Sequence, residues 1–104
     1  MKIKIETNFI PLILAYDDLP EGVTLDRLPF IEKRSADFSD LATGILSFSL
    51  NISSGIVAAW IYDKIKNLPN KDKLILKINE KQIRRISQDE ITEEIEREIK
   101  IKKH

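Results

Sequence analysis

The sequence predicts an α+β domain: a small, largely antiparallel sheet packed on a long central helix, with a C-terminal β-hairpin and an amphipathic helix. Three observations predict it. Residues Lys2–Thr7 and Lys73–Ile78 alternate apolar and polar with the period of a half-buried strand. Between them, Leu41–Tyr62 carries no charged residue, and Asp40 and Asp63 bound it. At the end, Ile91, Ile95 and Ile99 recur at four-residue spacing, the narrow apolar stripe of a surface helix. A length of 104 residues fits a single domain, residues 1–104.

In chain order, Ile3 and Ile5 of the first strand point one way, and Lys2, Lys4 and Glu6 the other. Phe9–Tyr16 is apolar and contains Pro11, so it reads either as a second strand or as a short helix starting at the proline. Asp17–Pro29 is dense in turn formers and reads as a loop. Phe30–Arg34 reads as an edge strand, with Pro29 placed where no ladder donor is needed.

The uncharged segment then reads as the central helix, with Asp37 or Ser39 as N-cap and Asn67-Leu68-Pro69-Asn70 as its stop. Leu41, Ile45, Phe48, Ile52 and Ile56 form one stripe; Leu46, Leu50, Val57, Ile61 and Ile65 form another. The remaining face carries Thr43, Ser47, Asn51 and Ser54, small enough for another backbone to approach closely. Lys73–Ile78 and Gln82–Ile86 read as a hairpin turning at Asn79-Glu80-Lys81. Ser87-Gln88-Asp89-Glu90 has the form of a capping box opening the last helix. Acidic residues crowd that helix's start and Lys100, Lys102 and Lys103 its end, the sense that the helix dipole favours.

Composition narrows the function classes. Basic and acidic residues number 17 each, so no net charge draws the chain to nucleic acid or anionic lipid. With no cysteine, a disulfide framework, a thiolate metal site and a cysteine nucleophile are excluded. The alternating N-terminus lacks the unbroken apolar run of a secretory signal, and a cytoplasmic location is expected.

Candidate sites each have a plainer explanation. Asp17 and Asp18 are paired carboxylates in a loop, but no nucleophile or second acid accompanies them, and a turn feature accounts for both. His104 stands alone at the last position and makes neither a triad nor a metal site. Lys71, Lys73, Lys77, Lys81, Arg84 and Arg85 place cations on the hairpin, yet no aromatic interleaves them, so they read as a solvated sheet face rather than a nucleic-acid surface. Isolated glycines exclude a phosphate-cradling loop. No catalytic, metal or cofactor-binding residue is therefore assigned, and the expectation is a non-enzyme. The candidate interface residues are Phe30 and Ile31 on the edge strand, Trp60 and Tyr62 on the long helix, and Ile95 and Ile99 on the last.

The stretch Ser53-Ser54-Gly55-Ile56-Val57-Ala58-Ala59-Trp60-Ile61-Tyr62-Asp63-Lys64-Ile65-Lys66 ends a small-residue helix. A strand from Lys73 to Asn79, a turn, a second strand and an acidic helix follow it. This layout, mostly within residues 38–100, resembles small bacterial domains that accompany effectors in conflict and defence systems, the effector-associated constant component among them. The resemblance implies an adaptor-like role without catalytic residues. The expected partner is accordingly another protein, or a second copy of the chain in a homo-oligomer. The alternative is a small membrane-associated protein anchored by residues 41–62, a span long enough for a bilayer but interrupted by hydroxyls, Asn51 and two glycines.

Overall fold

The N-terminal alternation is realised as written. In the computed structural model, which describes residues 2–33, 42–51, 53–69 and 71–102, strand β1 spans Lys2–Thr7 and buries Ile3, Ile5 and Thr7. The Thr7 hydroxyl accepts from the Phe9 amide at 3.1 Å and turns the chain into helix α1, Ile10–Leu14. Pro11 sits in its first turn, where a missing N–H leaves no helical bond unmade. Of the two readings open for this segment, the helix is the one formed, and it runs on into a 3-10 turn at Ala15–Asp18.

The region expected as loop contains one short strand, β2, Val23–Leu25. The Val23 amide bonds the Pro20 carbonyl at 3.1 Å, closing a turn whose Gly22 has φ 93°, a conformation open to glycine and costly for other residues. Strand β3, Phe30–Lys33, follows as expected for the edge.

The long central helix is not present. Ala42–Leu50 is a nine-residue strand, β4, and only Ser54–Ile65 is helical, as α2. The correction has a physical basis in the residues themselves. Gly44, Leu46, Phe48 and Leu50 are buried, while Thr43, Ile45, Ser47 and Ser49 are half-buried, a period of two. Three of these four outward positions carry hydroxyls and none a charge, so the alternation reads as an uninterrupted uncharged run. The helix begins later, where the Ser53 hydroxyl caps the Gly55 amide at 3.2 Å. The suggested caps Asp37 and Ser39 lie outside the described residues. Consequently, Thr43 and Ser47 belong to a sheet face, and the small face expected along the long helix is not formed.

Strand β4 is central, paired antiparallel with β1 from Lys2↔Ser49 to Thr7↔Gly44. On its other edge β2 pairs with its C-terminal half and β3 with its N-terminal half, Val23↔Leu50 and Phe30↔Ile45 marking the two registers. The Asp26 amide still bonds the Ser47 carbonyl at 3.0 Å. Arg27, Leu28 and Pro29 therefore stand opposite Leu46 alone, and β2 and β3 form one edge strand interrupted by a bulge.

Strand β5, Leu76–Ile78, pairs with the other edge of β1, and β6, Lys81–Gln82, completes the order β2-β4-β1-β5-β6, with β3 beside β4. The hairpin ladder is shorter than the sequence suggested, and its turn is Asn79-Glu80, with φ 49° and 75°. Helix α3, Gln88–Lys102, starts under the Ser87 hydroxyl, which accepts from the Glu90 amide at 3.2 Å.

The three α-helices among the described residues cover one face of the sheet. Ile3, Ile5, Leu46, Phe48, Leu76 and Ile78 from the strands meet Leu12 and Ile13 of α1, Val57, Ala58, Ile61 and Ile65 of α2, and Ile91 and Ile95 of α3 in one core. Pairing the two stripes of apolar residues, α2 and α3 lie side by side beneath the sheet. The opposite face carries Lys4, Glu6, Ile45, Ser47 and Lys77, all only half-buried. That asymmetry positions the candidate site.

Candidate functional site

Antiparallel register brings residues distant in sequence to the same side of the open face. Phe30 lies opposite Ile45, Ile45 opposite Glu6, and Glu6 opposite Lys77. Next to that row, Ser47 lies opposite Lys4. The bulge then supplies Arg27 and Leu28 from the edge. The result is a depression of about 200 Å³ whose walls are Phe30, Ile45 and Leu28 and whose rim is Lys4, Arg27 and Ser47. A second depression, about 300 Å³, shares Lys4, Arg27 and Ser47 and extends toward Asn79. The two make a continuous groove across the uncovered face.

Most charges on this face are already engaged. Lys4 Nζ is 3.4 Å from Glu80 Oε1, and Lys77 Nζ is 3.5 Å from Glu6 Oε2. The Ser49 hydroxyl donates to Asp26 Oδ1 at 2.7 Å. Arg27 makes no ion pair among the described residues, although it lines both depressions.

The edge is also where apolar surface collects. Leu28 is 73% exposed, Phe30 49% and Ile31 45%, three of the five large apolar side chains exposed among the described residues. They are consecutive but for Pro29. Isolated exposed leucines and isoleucines are ordinary; adjacent ones around a free strand edge are not.

The six interface candidates fall in different places. Phe30 and Ile31 lie together on β3, the first beside the groove and the second toward the other side of the sheet. Trp60 and Tyr62 on α2 are half-buried and pack against the core. Ile95 is fully buried beneath the sheet, and Ile99 is half-buried against the same core. The structure thus joins Phe30 to Ile31 but brings neither next to the α2 or α3 candidates on an open surface. Sequence reasoning missed Arg27, Leu28, Ile45 and Lys4, because their proximity depends on β4 being a strand. The alternation in Thr43–Leu50 was the signal that would have found them.

Trp60 has a structural task. Its indole N–H donates to the Asp18 carbonyl at 2.8 Å, and Lys64 sits 5.6 Å from the centre of its ring. Lys64 also bonds Asp18 Oδ2 at 2.6 Å, which holds the ammonium above the usual lysine range. Asp18 thereby ties the 3-10 turn after α1 onto α2. Further along α2, the Lys66 ammonium bonded to Asp63 at 2.8 Å holds that carboxyl below the usual carboxylate range.

On α3, Glu94 is only 7% exposed, bonded to Arg97 at 3.1 Å through one oxygen while the other has no partner among the described residues. Its neighbour Glu98 accepts from the Asn79 side-chain amide at 3.2 Å. No three His, Cys, Asp or Glu among the described residues converge to hold a metal ion.

The membrane alternative loses its element: within that span Ala42–Leu50 is strand β4 and Ser54 begins helix α2, and no helix among the described residues is long and apolar enough to cross a membrane. Comparison with known proteins adds no relative, since no family model, curated protein or solved structure matches the chain.

Proposed function

We propose that this chain is a non-enzymatic protein-interaction module in the cytoplasm, an adaptor, immunity-type partner or accessory subunit of a bacterial conflict or defence system. It meets its partner through β3 and the adjoining open face of the sheet. One observation carries the reading: Leu28 and Phe30 expose their apolar side chains together, with Ile31 exposed on the other side of the same edge strand, beside a sheet face that no helix among the described residues covers. Burying such a patch against a partner removes apolar surface from water, and the free strand edge offers backbone groups for pairing. The resemblance of the chain, mostly within residues 38–100, to effector-associated domains supports the cellular setting and the adaptor role.

Phe30 supports this surface without being needed for folding, since it is half exposed at the sheet's rim. Tagged co-purification from the native host at moderate salt, without detergent, tests the reading. The expected result is a stoichiometric protein partner retained by the wild-type chain and lost with Phe30→Asp, while both chains keep the same thermal midpoint. A partner retained equally by Phe30→Asp, or a purified chain that turns over a substrate, would remove the proposal.

A further inference from the structure

The groove on the open face points to a specific partner chemistry. Resting on the interaction reading, we propose that it seats an extended peptide segment of another protein, in which an apolar side chain stands beside an Asp or Glu. Phe30, Ile45 and Leu28 wall a depression of about 200 Å³. A depression of that size suits one inserted side chain. The adjoining depression of about 300 Å³ continues the groove past Arg27, so the chain that carries the side chain has a path to follow.

Charge complementarity selects the neighbouring residue. Arg27 stands where the two depressions meet and has no ion pair among the described residues. Asp26, which also lines the second depression, accepts from the Ser49 hydroxyl at 2.7 Å, while Lys2 adds a further cation to the same lining. Lys4, on the opposite rim, is held by Glu80 only at 3.4 Å on an exposed surface. A carboxylate entering between them meets a guanidinium whose planar fork accepts it with two parallel hydrogen bonds. The bulge at Arg27-Leu28-Pro29 is what aims this cation over the face: in a continuous ladder, the edge strand would carry only alternate side chains there.

A random-peptide display library selected against the full chain tests the proposal. The wild type is expected to enrich peptides with Asp or Glu within two positions of an apolar residue, and Arg27→Glu to switch the preference to Lys or Arg. For a selected peptide, Arg27→Ala should weaken binding about tenfold, as expected for losing a charge-assisted contact. Amide shifts on binding should centre on Arg27, Ile45 and Ser47. A basic or uncharged consensus on the wild type, indifference to Arg27→Glu, or shifts confined to α2 and α3 would overturn it. So would a homodimer in light scattering that Arg27→Glu dissociates, since a second copy would then fill the groove. Failure to select any peptide, with the co-purified partner still lost on Phe30→Asp, removes the peptide and leaves the interaction reading standing.

Discussion

Gly44 is the residue on which the packing of α1 turns. A Cβ at that position would lie 2.5 Å from Ile13 Cγ1, closer than carbon atoms approach. Gly44 therefore lets α1 pack closely against the N-terminal part of β4. Gly44→Ala should destabilise the chain by about 1–3 kcal/mol in urea unfolding, the range for overpacking a core. Combined with Ile13→Ala, the two losses should be less than additive, because the second removes the atom that the first strikes. Glu80 presents the opposite case. It holds φ 75° in the β5–β6 turn for an exposed ion pair with Lys4, and such pairs contribute little. Glu80→Gly should stabilise the fold by about 1 kcal/mol by relieving the left-handed backbone, read as a rise in thermal midpoint.

At the scale of elements, β4 decides the architecture, and substitutions along it distinguish strand from helix. Ile45 and Leu46 are both apolar and adjacent, but only Leu46 is fully buried under the helices. Leu46→Ala should cost about 2–5 kcal/mol, whereas Ile45→Thr, on the half-open face and favourable for a strand, should cost under about 1 kcal/mol. A central helix built on the Leu41–Ile45–Phe48 stripe would make both changes severe. The elements legible in the sequence were those whose solvent-facing positions carry charge: β1 with Lys2, Lys4 and Glu6, and α3 with its Glu-rich outer side. Where the outward residues are Thr43, Ser47 and Ser49, polarity no longer separates the faces, and an uncharged strand followed by an uncharged helix reads as one long helix. The strand ends at Leu50, and the Ser53 cap marks where the second element starts.

Among the described residues, three α-helices on one side leave the other side of a six-stranded sheet open, and the edge bulge adds apolar side chains and an arginine to its rim. Two of the site's residues, Phe30 and Ile31, were legible as an edge strand because Pro29 precedes them. The rest were not, since Arg27, Lys4 and Ile45 become neighbours only through the β1–β4 and β3–β4 registers. Hydrogen exchange on the chain alone and bound to its co-purified partner tests most directly whether this face is the one used. The account expects protection to rise in β3, Arg27 and Leu28, with α2 and α3 unchanged. Protection gained on α2 or α3, with β3 exchanging as in the free chain, would contradict it.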